Sequence, residues 1–475
     1  MERKSGVLFH ISSLWGEYSS GSFGKSAKEL VEFLADSGFT YWQVLPFCVT
    51  DDCNSPYKSY SAFSLNPYFI DLEALYEEGL ITKEELQSAR QQTPYLCEFE
   101  RLREERLALL EKASKRFDMS VCEEFLASHP HTQRFCEFMA IKKANGDKEW
   151  QEWETHQPDA DTLRLWRFCQ YKAFTQWLEI KTFANSKGIK IIGDIPIYVS
   201  LDSSDMWENP QLFQLDKRHQ PTSVAGVPPD YFSEDGQLWG NPLYNWKEMK
   251  KDGFLWWRER MAFMCELFDG VRIDHFRAIE AYFSVPSKET TARNGKWKKG
   301  PGMQFVKAIQ EEAGDKTVIA EDLGDITPAV HKLVNDSGFP GMRVLQFGLM
   351  GGSNSIHMPH NYPNNCVAYT GTHDNNTLLG YVWEMSAEDR RTFLNYFGFE
   401  GDNFDNCYDT VMRSMLASHA GLVIFPVQDL LKFGSDTRLN TPGSSEKNWA
   451  FRLLKEQLDT VDRSKFKYWN DLYAR

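Results

Sequence analysis

"FDGVRIDHFRAIE", residues 268–280, has the pattern of a buried strand that carries charges on one face. Val271 and Ile273 are apolar and β-branched, as in a core strand. Arg272 and Asp274 occupy the alternating positions. Because successive side chains of a strand point to opposite faces, we expect Arg272 and Asp274 on the same face. An arginine and an aspartate that share the inner face of a strand indicate a functional site built into the core.

Seven further stretches have strand character and are separated mostly by helix-forming sequence. They are GVLFHISS (6–13), YWQVLPF (41–47), IKIIGDIPIYV (189–199), TVIAEDLG (317–324), MRVLQFG (342–348), CVAYTGTHD (366–374) and GLVIFPVQDLL (421–431). Helices are predicted at 25–38, 301–313 and 375–383, where apolar residues recur every three or four positions. Eight strands alternating with helices over 475 residues predict an α/β fold, a closed (β/α)8 TIM barrel, in a single catalytic domain over residues 1–475.

Two segments interrupt this alternation. Residues 70–165 are charged and helix-forming, which predicts a helical insertion between the second and third barrel strands. Residues 200–250 are rich in proline, glycine and aromatic residues and show no sustained period, which predicts a long active-site lid loop after the third strand. The alternative for residues 200–250 is an irregular excursion packed on the surface.

The composition disfavours several classes of protein. The formal net charge of −14 argues against a nucleic-acid partner, because phosphate binding needs clustered lysines and arginines. No apolar run approaches the roughly 18 residues that span a membrane, so no membrane association is expected. The nine cysteines are scattered without paired C-x-x-C units, which is typical of a reducing compartment and indicates a cytoplasmic protein. No glycine-rich nucleotide motif follows a strand, and no cofactor is expected.

Polar residues stand at or near the carboxyl ends of several predicted strands, the face where barrel enzymes carry out their chemistry. These residues are Asp194, Arg272, Asp274, Glu321, Asp322, His373, Asp374, Gln428 and Asp429. Carboxylates gathered at one barrel mouth repel one another, so a metal, a bound cation or acid–base chemistry must compensate.

Two kinds of chemistry fit this pattern. A metal-dependent hydrolase would draw its ligands from the acids and histidines at the strand ends: Asp274, His275, Glu321, His373 and Asp374. Strand alternation turns His275 away from Asp274, no H-x-H or H-E-x-x-H pair is evident, and Arg272 would set a cation beside the metal. Glycoside chemistry needs a carboxylate nucleophile, a carboxylic acid that protonates the leaving oxygen and polar groups that recognise ring hydroxyls. Here Arg272 would keep Asp274 ionised and oriented as the nucleophile.

Motifs along most of the chain are similar to those of one enzyme family. They are GVLFHISSLW, YWQVLPF and SPYKSYSAFSLNP near the N-terminus, GDIPIYV, GVPPDYFSEDGQLWGNPLYNW and VRIDHFR in the middle, and AEDLG, GTHDN, PVQDLL, RLNTPG and NWAFRL towards the C-terminus. On these motifs the chain resembles the 4-α-glucanotransferase (amylomaltase, disproportionating enzyme) family of the α-amylase clan. It departs from the family pattern at Leu14-Trp15, where Leu-Pro is usual, and at Leu65-Asn66-Pro67, where Gly-Asn-Pro is usual.

The resemblance implies an enzyme that transfers α-1,4-glucan segments from a malto-oligosaccharide to the 4-hydroxyl of an acceptor glucan or glucose, by a retaining mechanism without cofactor or metal. It implies a nucleophile at Asp274, a general acid/base at Glu321 and a third acid at Asp374 that binds sugar hydroxyls. The residues implied in substrate binding are Tyr57, Asp194, Asp230, Tyr231, Trp239, Arg272, His373 and Asn440. An α-glucan hydrolase with the same residues and a catalytically idle glucan-binding barrel stay open as alternatives.

Overall fold

The computed structural model describes residues 1–51, 53–229, 234–401, 403–444 and 447–475. Its strands are β1 (Lys4–Leu8), β2 (Tyr41–Gln43), β3 (Lys190–Ile195), β4 (Ser223–Val227), β5 (Gln237–Pro242), β6 (Gly270–Ile273), β7 (Ala281–Pro286), β8 (Lys296–Lys299), β9 (Thr317–Ala320), β10 (Gly341–Val344), β11 (Cys366–Tyr369) and β12 (Leu422–Pro426). Eight of them pair in parallel and close into a barrel in the order β1-β12-β11-β10-β9-β6-β3-β2. Each stretch predicted as a barrel strand contributes one of these eight, so the predicted (β/α)8 barrel is confirmed.

The barrel interior is filled by apolar side chains at alternating strand positions. Ile192 and Ile319 are fully buried there. Asp194 and Glu321 follow them by two residues, so the same alternation carries both acids to the inner face. The apolar interior therefore forms a floor beneath the polar end of the barrel.

The helices pack outside the barrel through apolar stripes. They span Lys25–Asp36, Leu72–Glu77, Lys83–Ser88, Phe99–Arg101, Leu107–Arg116, Cys122–Ser128, Pro130–Ala144, Ala160–Ser186, Ser204–Glu208, Trp246–Met249, Leu255–Leu267, Met303–Ala313, Pro328–Ser337, Leu378–Glu384, Ala387–Tyr396, Tyr408–Ala417, Val427–Leu430, Lys455–Leu458 and Arg463–Leu472. In the first helix the residues spaced three or four apart are fully buried, namely Ala27, Leu30, Val31 and Leu34. Gly38 then takes a left-handed conformation with φ 74° just beyond the helix end.

Most of the chain between β2 and β3 is helical. The 27-residue helix Ala160–Ser186 leads into β3, and its Trp177 packs edge-on against Phe47, with ring centroids 4.6 Å apart. The helix Pro130–Ala144 is joined to later elements by His131, whose two ring nitrogens lie 3.3 Å from Glu208 and 2.9 Å from Glu259. These contacts attach the helices between β2 and β3 to Phe47, just after β2, and to helices that follow β3.

The segment 200–250 is more regular than its composition predicts. It contains β4 and β5, which join β7 and β8 in a four-stranded antiparallel sheet of order β5-β4-β7-β8. The strand β4 pairs with β7, more than fifty residues later in the chain, so a local pattern of glycine and proline could not reveal the sheet. Within the described residues, the helices found fall short of the length and apolarity that crossing a membrane requires.

Candidate active site

Arg272 joins two carboxylates at the inner face of the barrel. Its Nη1 donates to both carboxylate oxygens of Asp194 at 2.8 and 2.7 Å, and its Nη2 donates to Asp274 Oδ1 at 2.9 Å. The strands β3 and β6 pair with Asp194 opposite Arg272, which sets the length of this bridge. The Arg272 side chain is only 5% exposed, whereas that of Asp274 is 29% exposed. One oxygen of Asp274 is thus fixed by a guanidinium while the carboxylate still reaches the cleft.

Asp194 supports this arrangement from below. Its side chain is fully buried and also accepts a hydrogen bond from the Tyr57 hydroxyl at 2.8 Å. Burial raises the pKa of Asp194, and the charge of Arg272 opposes that rise. Burial, followed by the charge of Asp194, raises the pKa of Tyr57 well above its ordinary value, so the hydroxyl stays a donor.

Glu321 is held by main-chain groups on both of its carboxyl oxygens. The His275 N–H donates to Oε2 and the Leu323 N–H donates to Oε1, each at 2.7 Å. Burial and then the nearby charge of Asp274 raise the pKa of Glu321 to about 8, although Arg272 and the two N–H groups act in the opposite direction. Burial is therefore the main cause of the raised pKa of Glu321, and the charge of Asp274 is the second.

Asp374 lies in a third cluster, on the segment that follows β11. His373 Nε2 is 3.3 Å from Asp374 Oδ2, and Asn440 Nδ2 donates to Oδ1 at 2.6 Å. The side chain of Asp374 remains 46% exposed to the cleft. The enclosure of the cleft pushes the pKa of Asp374 upward, but the charge and hydrogen bond of His373 and the Asn440 amide more than offset it, so the pKa lies well below its ordinary value.

An aromatic group stands beside these acids. The Tyr57 ring stacks on His373 with centroids 5.1 Å apart and planes inclined by 18°. Trp449 lies 6.0 Å from Tyr57 and 5.9 Å from His373. Sequence reasoning did not single out Trp449, although it belongs to the NWAFRL motif. It also did not single out Arg438, which donates to the Asp374 carbonyl at 2.6 Å.

Three polar residues at strand ends have other contacts. Asp322 accepts the Met342 N–H at 2.6 Å and pairs with Arg343 at 3.1 Å. Asp429 is fully buried and accepts the Leu378 N–H and the Thr370 hydroxyl, and Gln428 donates to the Thr437 carbonyl. These contacts fasten neighbouring segments to one another, which is a structural role.

The metal-ligand alternative finds no geometric support in the described ranges. They contain no cluster of three or more histidine, cysteine, aspartate or glutamate side chains arranged to hold a metal ion. Arg272 pairs with Asp274, one of the acids in that ligand set, so a positive charge already lies beside it.

The predicted lid residues are placed only in part. Trp239 on β5 is half-buried, and its ring meets that of His275 edge-on with centroids 4.8 Å apart. Because His275 directly follows Asp274, this contact brings β5 beside the acids. Asp230 and Tyr231 lie outside the described residues.

The fold and the site together define a barrel enzyme with two carboxyl groups in contrasting environments, as glycoside chemistry requires. The glycoside hydrolase family 77 profile, described as 4-alpha-glucanotransferase, matches residues 9–457. The chain belongs to this family, whose chemistry is retaining, and it is an enzyme that transfers α-1,4-glucan segments.

Individual relatives agree with the family match over nearly the whole chain. The 4-alpha-glucanotransferase of Streptococcus pneumoniae is 41% identical, with 96% of this chain and 94% of the relative covered. That of Clostridium butyricum is 42% identical, with 93% and 95% covered. The structure of an amylomaltase from Streptococcus agalactiae in complex with acarbose superposes with a TM-score of 0.95 at 38% identity, covering 100% of both chains.

Proposed function

We propose that transfer proceeds through a covalent glycosyl–Asp274 intermediate, with Glu321 as the general acid and base. The observation that carries this assignment is the contrast between the environments of the Asp274 and Glu321 carboxyl groups. Asp274 is held by the Arg272 guanidinium and is partly open to the cleft, whereas Glu321 is buried, and burial raises its pKa to about 8 and keeps it protonated at neutral pH. The substrates are malto-oligosaccharides and other α-1,4-glucans, which the acarbose complex of the Streptococcus agalactiae relative supports.

In the first half-reaction Asp274 attacks the anomeric carbon of the donor sugar. The bond from that carbon to the glycosidic oxygen breaks, and Glu321 gives its proton to the departing 4-oxygen. Arg272 holds Asp274 Oδ1, which directs the other carboxylate oxygen toward the sugar. We expect the two carboxyl groups to lie about 5–5.5 Å apart when a donor is bound, the spacing of retaining enzymes.

In the second half-reaction Glu321, now a carboxylate, takes the proton from the 4-hydroxyl of an acceptor. The acceptor oxygen attacks the anomeric carbon and releases Asp274. Two displacements restore the α configuration, and Glu321 ends protonated as it began. Glu321 gives up its proton in the first half-reaction and takes a proton back in the second. A raised pKa therefore suits its role as an acid and does not prevent its role as a base.

Asp374, His373, Asn440 and Tyr57 are assigned to the donor sugar. An ionised Asp374 offers two acceptor oxygens for sugar hydroxyls, and His373 and Asn440 fix its orientation. The ring of Tyr57, supported by His373 and by its bond to Asp194, offers an apolar face to the pyranose ring.

A lid formed from the segment 200–250 is assigned to the acceptor side. Transfer needs a bound acceptor and an intermediate shielded from the far more abundant water. Trp239 is placed beside the acids through His275, and Asp230 and Tyr231 belong to the same segment. In the Trp239→Ala variant we therefore expect a higher ratio of hydrolysis to transfer, measured as free glucose against chain-length distribution at matched turnover. An unchanged ratio in a folded variant would remove the lid assignment.

The thiols support a reducing compartment. All nine cysteines are free, and seven of them are buried. A cytoplasmic enzyme acting on internal α-glucans is consistent with this cysteine chemistry.

Incubation with maltotriose, with and without EDTA, tests the activity. Transfer produces glucose together with longer malto-oligosaccharides, and a chelator should leave the rate unchanged. Reducing ends that rise without longer products would indicate a hydrolase, and an unchanged maltotriose would indicate a binding protein. Loss of activity with EDTA would indicate a metal enzyme. Asp274→Asn and Glu321→Gln should each abolish the longer products, and a variant that keeps them would contradict its assigned role.

A further inference from the structure

His275 combines an unusual backbone conformation with a bond to the proposed acid. It lies directly after Asp274 with φ 48° and ψ 46°, in the left-handed region that residues other than glycine rarely occupy. In this conformation its N–H points across to the neighbouring strand and donates to Glu321 Oε2. The main chain is joined there as well, because the Glu321 N–H donates to Ile273 O and the Phe276 N–H donates to Glu321 O, both at 3.1 Å.

The side chain of His275 is placed against the lid strand. The residue is 9% exposed, and its ring meets Trp239 edge-on. Burial lowers the pKa of His275 to about 4, so the ring is neutral when the enzyme works and adds no charge beside Glu321. Its Nε2 has no hydrogen-bond partner among the described residues.

We propose that His275 is a positioning residue, which aims its N–H at Glu321 through its left-handed backbone and is kept in that conformation by packing of its ring against Trp239. The proposal rests on the proposed role of Glu321 as general acid. On this proposal the position of the Glu321 carboxyl group depends on β5, because displacement of Trp239 would leave the His275 ring without its packing partner. The acid is then correctly held only when β5 is in place.

A matched pair of substitutions separates the backbone effect from loss of the ring. His275→Asn and His275→Val introduce side chains of similar size, but asparagine tolerates the left-handed region and valine does not. The Val variant should turn the peptide and withdraw the N–H from Glu321. The Asn variant should keep the N–H in place without the ring contact, because the short polar side chain of asparagine stabilises the left-handed conformation locally.

The readout is the pH dependence of kcat/KM for donor cleavage, whose alkaline limb reports the general acid. A hydrogen bond donated to a carboxylate lowers its pKa, so loss of the His275 N–H should move the alkaline limb of His275→Val upward by about one pH unit. The plateau should also fall by about tenfold or more, because the acid is less well placed. His275→Asn should keep the limb within about 0.3 pH unit of wild type.

Trp239 supplies the second arm of the test. Trp239→Ala should move the limb in the same direction as His275→Val, and Trp239→Phe, which keeps an aromatic ring, should not. If the alkaline limb of Trp239→Ala coincides with that of wild type, Trp239 does not hold His275 in its conformation. Equal limbs in His275→Val and His275→Asn would refute the role of the left-handed backbone.

Glu321→Gln, followed through the pH dependence of its residual donor cleavage, serves as the reference for the underlying assignment. If that variant retains the alkaline limb, the proposed acid is wrong. If it loses the limb while His275→Val leaves the limb unmoved, only the role of His275 is wrong.

Discussion

Burial of Glu321 should make the protein less stable as pH rises, and Glu321→Gln should remove that dependence. In the folded protein the pKa of Glu321 is about 8, against an ordinary value of 4.5. Between these values the folded state keeps a proton that the unfolded chain has released, so unfolding gains from each increase in pH. The contribution of Glu321 to stability is therefore lost progressively from about pH 4.5 to pH 8.

The size of the effect follows from the difference in pKa. Each pKa unit corresponds to about 1.36 kcal/mol, so the free energy of unfolding should fall by roughly 3–4 kcal/mol between pH 5 and pH 8. With an unfolding entropy of about 2.1 cal/mol/K per residue, a chain of 475 residues converts this into a difference of about 3–4 °C in Tm.

The assay is thermal unfolding of wild type and Glu321→Gln at several pH values and one scan rate. The glutamine loses one accepted N–H bond, which adds an offset that does not change with pH. The difference in Tm should thus shift in favour of the variant by about 3–4 °C from pH 5 to pH 8. Glu104→Gln, at an exposed position, controls for loss of one charge. A Tm difference that is constant over this range would refute the assignment of a buried, protonated Glu321.

Two further predictions concern the groups around the acids. Arg272→Lys replaces a guanidinium that bonds Asp194 and Asp274 together by a single ammonium, so kcat/KM for maltotriose disproportionation should fall about a hundredfold or more; a fall of less than about fivefold would contradict the bridging role. Asn440→Ala removes the amide that donates to Asp374 Oδ1, which should lower kcat/KM roughly tenfold. Asn448→Ala, at a half-buried position in the same loop whose side chain bonds to the main chain of Thr441 and Ser444, should have a smaller effect, and equal effects would show that the loop rather than the Asn440 amide matters.

Alternation along single strands made the barrel and the two central acids predictable. Arg272 and Asp274 share a face because they are two residues apart, and Ile319 places Glu321 on the inner face by the same rule. The adjacency of His373 and Asp374 could likewise be predicted from the short motif GTHDN. The roles of these residues came from resemblance to a family rather than from alternation.

Contacts between distant segments could not be read in this way. Asp322 and Asp429 resemble site acids in sequence, but Arg343 and the Leu378 N–H bind them to neighbouring segments. The left-handed turn at His275 has only a weak sequence signal, because histidine enters that conformation less readily than glycine does. The antiparallel sheet of β4 with β7 depends on pairing across more than fifty residues, beyond the reach of local patterns.

The central claim is that transfer passes through a covalent glycosyl–Asp274 intermediate, and trapping that intermediate tests it most directly. In Glu321→Gln the general base is missing, so a maltosyl fluoride donor, whose leaving group needs no acid, should load the enzyme faster than the intermediate is released. Mass spectrometry of the intact protein and of its peptides should then find one added maltosyl group, attached at Asp274. Attachment at another residue, or turnover of the fluoride with inverted configuration and no adduct, would contradict a retaining transfer through Asp274.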